Sequence, residues 1–168
     1  MPANQGGEGL TVEIDESLFS RRKSNAGRQL PPQWVLCICR ETKQCFILFT
    51  VPDRSAATLL PLIQSHILPG TTILSDEWRA YSSITNLGYE HHTVNHTCNF
   101  VNPEDGTHTQ NIESCWRNAK IRNKRHFGTH RRMLDSYMCE FMYRTRYRDC
   151  DLFDQILTDI AGFISLIN

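Results

Sequence analysis

The fold is indicated first by residues 10–15, Leu10-Thr11-Val12-Glu13-Ile14-Asp15, in which apolar and polar side chains alternate. This period of two is typical of a β-strand, because successive side chains point to opposite faces of the sheet. The pattern predicts a strand over residues 10–17, with the acid Asp15 close to its end. Ligand sites of mixed α/β proteins commonly lie at strand ends, so Asp15 is a candidate site residue.

Two further acids occupy comparable positions later in the chain. Asp76 follows the β-branched run at residues 71–75, and Glu113 lies near the start of a helical pattern at residues 111–116. Carboxylates gathered in one site repel one another unless divalent cations hold them, and hard oxygen ligands suit Mg²⁺ or Mn²⁺. Two such ions can activate a water or a 3′-hydroxyl and stabilise the leaving oxygen of a phosphodiester. The three acids therefore predict metal-dependent phosphoryl-transfer chemistry.

Length and composition are those of one globular domain. The chain has 168 residues, of which 40% are hydrophobic and 21% charged. We expect residues 1–9, which are polar and glycine-rich, to form a disordered tail, and residues 10–168 to form a single domain. Neither a membrane-spanning apolar stretch nor a signal-peptide pattern is present, so we expect no membrane partner and an intracellular location. That location would be the nucleus in a eukaryote or the cytoplasm in a bacterium.

The formal net charge is zero, but the charges are unevenly distributed. No Asp or Glu occurs between Ser114 and Leu134, and this stretch holds seven cations: Arg117, Lys120, Arg122, Lys124, Arg125, Arg131 and Arg132. A second cluster follows the first strand: Arg21, Arg22, Lys23 and Arg28. An exposed helix face normally mixes both signs. A block of one sign beside acidic ligands therefore favours nucleic acid as the partner.

The remaining patterns predict a mixed α/β sheet of about five strands flanked by helices. The predicted strands are residues 10–17, 33–39, 45–51, 71–75 and 89–94. The predicted helices run from a cap at Ser55 or Thr58 to about Leu68, over residues 78–85, over 110–122, and in a last long helix after Gly128-Thr129. Residues 99–109 are predicted to be a loop.

The acids are spaced by 61 and then 37 residues, and this spacing resembles that of the ribonuclease H-like catalytic core of DDE transposases and integrases. The sequences around them resemble the Merlin family of DDE transposases and the related bacterial insertion-sequence transposases of the ISXO2-like type. The stretches that carry the resemblance are residues 12–17, 21–23, 51–55, 67–76, 93–96, 99–101, 108–120 and 128–142. The likeness thus covers nearly the whole chain after residue 10.

The resemblance implies a catalytic domain that cleaves and transfers DNA strands. Asp15, Asp76 and Glu113 would be the catalytic and metal-binding triad, with Mg²⁺ or Mn²⁺, expected as two ions, as cofactor. Double-stranded DNA, as transposon ends and target, would be the partner, and the expected contacts are Lys120, Asn111, Arg117, Arg122, Lys124, Arg125, Arg21, Arg22 and Lys23. Lys120 lies two helical turns after Glu113 and so on the same face.

Neighbouring side chains are expected to play lesser roles. Trp116 is interpreted as a core residue, and Glu13, which shares a strand face with Asp15, as an outer or substitute ligand. Glu16 and Glu77 point away from their catalytic neighbours and are expected at the surface.

Several alternatives stay open. The chain begins about ten residues before the first catalytic strand, so we expect neither an N-terminal zinc ribbon nor a helix-turn-helix for recognising transposon ends. A truncated or domesticated derivative that binds DNA or protein without transposing is one alternative, and a nuclease of the ribonuclease H class is another. A homodimer is possible.

Overall fold

A computed structural model describes residues 5–19, 32–40, 46–94, 110–126 and 128–167. The strands are β1 (Thr11–Leu18), β2 (Trp34–Arg40), β3 (Phe46–Val51), β4 (Thr72–Ser75) and β5 (Glu90–Thr93). The helices are α1 (Ala56–His66), α2 (Gln110–Arg125), α3 (Arg131–Arg146) and α4 (Leu152–Ile167), with short 3₁₀ helices at Arg79–Tyr81 and Ile84–Leu87. The predicted loop at residues 99–109 lies outside the described residues.

The strands form one mixed sheet in the order β3-β2-β1-β4-β5. The first three strands in the chain pair antiparallel, whereas β4 runs parallel to β1, and β5 parallel to β4. The five-stranded mixed sheet predicted from the sequence is confirmed. Each strand bound either agrees with the predicted one or differs from it by one residue. The central strand is β1, which carries the first candidate acid.

Helices cover both faces of the sheet, which therefore has two cores. Val12 and Ile14 of β1 pack on one face with Leu59 and Ile63 of α1, and we call this the α1-side core. Cys37 and Cys39 of β2 pack on the other face with residues of α2 and α3, and we call this the α2-side core. Because β1 side chains alternate between the two, Glu13 and Asp15 face α2, whereas Glu16 faces the α1 side.

The beginning of α2 is fixed to the sheet by a buried carboxylate. Glu13 is 1% exposed. Its Oε1 accepts a hydrogen bond from Asn111 Nδ2 (2.6 Å), and its Oε2 accepts one from the backbone N–H of Ile112 (2.8 Å). The first N–H groups of a helix lack partners within the helix, and the helix dipole favours negative charge there. Glu13 therefore sets where α2 starts relative to β1.

From that point, α2 runs along β1 with matched spacing. Beyond the Glu13 contacts, Asp15 bonds to Trp116, Ser17 to Lys120, and the Phe19 carbonyl to Asn123. Two residues of a strand advance about 6.7 Å, and four residues of a helix advance about 6 Å. Every second residue of β1 can therefore meet about every fourth residue of α2, and the first turn of α2, which carries Glu113, lies beside Glu13 in the first half of β1.

Three features differ from the predictions. Residues 5–9 were expected to be disordered, but the Gln5 N–H donates to the His66 carbonyl (2.7 Å) and the Leu68 N–H to the Gln5 carbonyl (2.9 Å). The helix predicted over residues 78–85 is a pair of 3₁₀ turns. The C-terminal region holds two helices, because the Asp151 carboxylate caps a new helix by accepting the N–H groups of Phe153 and Asp154.

Helix α4 leaves most of its apolar side chains exposed. Phe153, Ile160 and Phe163 are 69%, 51% and 66% exposed. Its described contact with α3 is polar, a hydrogen bond from the Tyr143 hydroxyl to Asp159 Oδ2 (2.8 Å). Within the described ranges, no helix combines the length and apolar character needed to cross a membrane.

Replacing Glu13 by Gln should lower the free energy of unfolding by about 1–3 kcal/mol, the usual cost of leaving a buried polar group without its partner. The amide would present a donor to Asn111 or to the Ile112 N–H, where only an acceptor fits. The measurement is urea unfolding in EDTA, with the exposed Glu8→Gln as the matched control. Equal unfolding midpoints for the two variants would contradict the assigned role of Glu13.

Candidate active site

Asp15 lies in the middle of β1, whereas Asp76 directly follows the last residue of the neighbouring parallel strand β4. The β1–β4 register pairs Glu13 with Leu74, and two residues further along, this register places Asp15 beside Asp76, the first residue after β4. The negative charges of both acids help to raise the pKa of Glu16, the residue that follows Asp15. The structure thus brings together the two aspartates that the sequence singled out.

Each aspartate is oriented by N–H groups of the protein. Asp15 Oδ1 accepts from the Glu16 N–H (2.8 Å), and its Oδ2 accepts from Trp116 Nε1 (2.7 Å). Asp76 Oδ1 accepts from the Trp78 N–H (3.0 Å). The backbone of Asp76 is also held, because Ser75 Oγ donates to the Asp76 carbonyl (2.7 Å). Trp116 is mostly buried, as predicted, but it also contacts a candidate catalytic carboxylate, which was not predicted.

Glu113 is half-buried on α2, one helical turn before Trp116. Residues three apart on a helix are neighbours, so Glu113 lies on the side of α2 from which Trp116 reaches Asp15. Helix α2 therefore carries Glu113 on the side that faces β1. Among the described residues, however, no group of three Asp, Glu, His or Cys side chains lies close enough to hold a metal ion. Three carboxylates repel one another when no cation is present.

Glu16 corrects a prediction. It was expected at the surface, but it is 6% exposed, accepts a hydrogen bond from the Tyr81 hydroxyl and lies 3.5 Å from Arg54 Nη1. Burial, together with the charges of Asp15 and Asp76, raises the pKa of Glu16 to about 7. The side chain points away from Asp15, as predicted, but that direction leads into the α1-side core. Glu77 is exposed, as predicted.

The predicted DNA contacts fall into four groups. Asn111 is 9% exposed and bonds to Glu13, so its side chain holds α2 on the sheet and does not face solvent as a DNA contact would. Lys120 is half-buried, donates to Ser17 Oγ, and lies near the rings of Phe19 and Trp116. The exposed cations on α2 are Arg117, Arg122, Lys124 and Arg125. Arg21, Arg22 and Lys23 lie outside the described residues.

The sequence analysis missed Arg54, whose guanidinium pairs with Glu16 between two tryptophan rings. A signal was available. The even-numbered residues of β1 share the face of Val12 and Ile14, so Glu16 must be buried if a helix covers that face. A buried carboxylate requires a cation or a donor, and Arg54 lies in a stretch that carries the family resemblance.

Comparisons with known proteins identify the family and the fold. Residues 6–146 match the family model of the ISXO2-like transposase domain. A transposase-like protein of Haemophilus influenzae is 27% identical over 94 residues, covering 56% of this chain and 75% of that protein. In fold, the chain is similar to the catalytic core domain of BIV integrase, with a TM-score of 0.53, 12% identity, and 80% and 81% of the two chains covered.

The chain is also similar in fold to the HTLV-2 integrase catalytic core domain, which was solved in a dimeric form in complex with magnesium. The TM-score is 0.54 and the identity is 13%. That comparison covers 82% of this chain and 86% of the integrase chain. At these identities the likeness establishes the fold, which is the ribonuclease H-like fold predicted from the sequence. The family match extends over most of the chain, and the chain therefore belongs to the ISXO2-like transposase family.

Proposed function

We propose that the chain is a DDE transposase catalytic domain that cleaves DNA strands and joins them to new positions, with Asp15, Asp76 and Glu113 as its catalytic residues. The observation that carries the proposal is the parallel register of β1 and β4, which, continued by two residues past the last printed pair to the end of β4, puts Asp15 beside Asp76. The family and the integrase-like fold support the same chemistry. The Trp116–Asp15 hydrogen bond joins α2, which carries Glu113, to β1.

The donor chemistry of the three carboxylates fits Mg²⁺ or Mn²⁺, which prefer hard oxygen ligands. Asp15, Asp76 and Glu113 would hold the ions, proposed as two. Bound there, the ions would activate the attacking oxygen and stabilise the leaving oxygen of a phosphodiester. Asp15 can accept the Trp116 N–H and still offer lone pairs, because each carboxylate oxygen has two. Closing the site would then require the side chains of Asp76 and Glu113 to move toward Asp15.

The side chains around the acids would orient them and the DNA. Trp116 and the Glu16 N–H fix the direction of the Asp15 carboxylate, which reduces the freedom lost when DNA binds. Lys120 lies on α2 one turn beyond Trp116 and places a cation beside the β1 end. We propose that its ammonium group contacts a phosphate near the bond that is cut.

The DNA-facing surface is proposed to lie on the exposed side of α2. Arg117, Lys124 and Arg125 are exposed and would meet phosphates directly. Arg122 contributes less free charge, because it forms an ion pair with Glu140 of α3. The segment with Arg21, Arg22 and Lys23 remains part of the proposed surface on the basis of its charge alone.

A second function deserves a test because of one observation. The described residues show no three-residue group close enough to hold a metal ion. A derivative that binds DNA or protein without transposing would not require Asp15, Asp76 and Glu113 to form a metal site. Mg²⁺-dependent cleavage distinguishes the two functions.

Changing Asp76 to Asn should abolish Mg²⁺-dependent nicking of a supercoiled plasmid, because the site loses a ligand charge. Affinity for duplex DNA in EDTA should stay the same or rise slightly, since the carboxylate repels the DNA backbone when no cation is bound. Nicking is read on gels, and affinity by fluorescence anisotropy across a salt series. The exposed Asp149→Asn variant is the matched control and should nick as the parent does.

Equal nicking by the parent and Asp76→Asn would contradict the catalytic assignment. DNA binding by the parent without nicking would favour the derivative that only binds. Cleavage of an RNA–DNA hybrid but not of DNA would indicate a nuclease of the ribonuclease H class. Affinity that does not fall with salt would contradict the basic surface, because phosphate neutralisation gives a log–log slope of about −0.9 per contact.

We also propose that two copies of the chain pair through α4. Its exposed apolar residues repeat at the three- and four-residue steps of a helix–helix seam: Phe153, Ile156, Leu157, Ile160, Phe163 and Ile164. These side chains expose on the order of 600 Å² per copy, near the roughly 800 Å² per partner of a standard interface. The helix carries Asp154 and Asp159 but no Lys or Arg, so it is unsuited to DNA or to an anionic membrane.

A second copy presents the same stripe, and a two-fold pair is the commonest closed assembly. The Ile160→Asp variant should therefore be a monomer by light scattering where the parent is a dimer, because it puts a charge into an apolar seam. Thr158→Asp changes an exposed residue outside the stripe and should leave the dimer intact. A monomeric parent, or a dimeric Ile160→Asp variant, would contradict the proposed interface.

A further inference from the structure

Arg54 lies between two indole rings beneath the candidate site. Its guanidinium carbon is 4.4 Å from the centroid of the Trp34 ring and 3.9 Å from that of the Trp78 ring. Its Nη1 is 3.5 Å from Glu16 Oε1, and the Glu16 side chain is fully buried. Arg54 therefore connects β2, the turn after β4, and the residue next to Asp15.

Trp78 is held to Arg54 in two ways, and it in turn holds Asp76. Its ring stacks on the Arg54 guanidinium, and its Nε1 donates to the Arg54 carbonyl (2.9 Å). Its backbone N–H donates to Asp76 Oδ1 (3.0 Å). This chain of contacts matters because Asp76 follows the last residue of β4 and so lies beyond the strand's hydrogen-bonded ladder.

We infer that Arg54 is a positioning residue for Asp76. Arg54 holds Trp78, and Trp78 in turn fixes the Asp76 carboxylate. The ion pair between Arg54 and Glu16 ties the turn that carries Asp76 to β1. The inference rests on the proposed function, since it assigns Arg54 a role in setting the distance between two of the proposed ligands. Arg54 itself reaches neither the DNA nor the ions in this role. The effect of Arg54 is to restrict the orientation of the Asp76 carboxylate before a cation binds.

The residue type fits this role. A guanidinium is planar and can stack on two rings at once while its edge pairs with a carboxylate, which an ammonium group cannot do. Glu16 supplies the opposite charge in a buried position, so removing the guanidinium leaves a buried carboxyl group without its cation. The Ser75 hydroxyl holds the Asp76 backbone independently, and the β4 end should therefore stay folded in an Arg54 variant.

The test compares Arg54→Met with Arg79→Met, an exposed arginine in the 3₁₀ helix that follows the same turn. The measurements are Mn²⁺ affinity, from the electron paramagnetic resonance signal of free Mn²⁺, and the Mn²⁺ concentration that gives half-maximal plasmid nicking. Arg54→Met should raise that concentration about 10- to 100-fold, the usual effect of losing a residue that orients a metal ligand. Saturating Mn²⁺ should restore most of the nicking rate, and Arg54→Lys should recover part of the affinity.

The outcomes separate this inference from the proposed function. A parent that nicks DNA and an Arg54→Met variant with the Mn²⁺ dependence of Arg79→Met would overturn the inference and leave the function standing. A nicking defect that saturating Mn²⁺ does not relieve would also overturn it, because it would indicate a general structural role. A parent that neither binds Mn²⁺ nor nicks DNA would overturn both.

Should Arg54→Met fail to fold, Trp78→Phe supplies the same test. Trp78 is 37% exposed, so the change removes the indole N–H with little loss of packing. The variant should show the same kind of shift in Mn²⁺ dependence, although a smaller one because its ring can still stack. Mn²⁺ dependence equal to that of the parent would overturn the inference.

Discussion

The buried carboxylate of Glu13 is the constraint on which the candidate site depends. It accepts the side-chain amide of Asn111 and the backbone N–H of Ile112, so α2 can begin at one place on the sheet. The match between two strand residues and four helix residues then propagates that register along β1. Shifting α2 by one residue would rotate it by about 100° and turn Glu113 away from Asp15.

The two faces of β1 perform different tasks around the acids. The face with Glu13, Asp15 and Ser17 receives α2, and the face with Val12, Ile14 and Glu16 receives the α1-side core. Glu16 brings a carboxyl group to the underside of the site, and the pKa of about 7 reflects that burial beside Asp15 and Asp76. The positive charge of Arg54 offsets part of the free-energy cost of burying this carboxyl group. Carboxyl groups therefore lie on both faces of β1 at neighbouring positions.

The sheet could be predicted from sequence because its patterns are local. Alternation defined β1, and two apolar runs defined β2 and β3, so their bounds were correct within about one residue. The break between α3 and α4 was missed because no Gly or Pro marks it, and the capping role of Asp151 depends on hydrogen bonds across three residues. The order of residues 5–9 depends on pairing with residues 66–68, which is distant in sequence.

In the candidate site, the three acids could be selected from spacing and motif, but their surroundings could not. Whether Asn111 faces DNA or the sheet depends on the register of α2, and that register depends on Glu13, which is 98 residues away in sequence. Glu16 was assigned to the surface because it points away from Asp15 and because glutamate side chains are rarely buried. Alternation gives the face on which a side chain lies, but tertiary packing decides whether that face is covered.

The central claim is that Asp15, Asp76 and Glu113 act together as one cation site. The metal-free protein can be titrated with Mn²⁺ while the electron paramagnetic resonance signal of free Mn²⁺ is monitored. This measurement tests the claim without requiring DNA or turnover. The account predicts that the parent binds Mn²⁺ and that Asp15→Asn and Glu113→Gln each lose most of that binding, although the two residues lie on a strand and a helix far apart in sequence. Binding that survives in either variant, or a parent that binds no Mn²⁺, would contradict it.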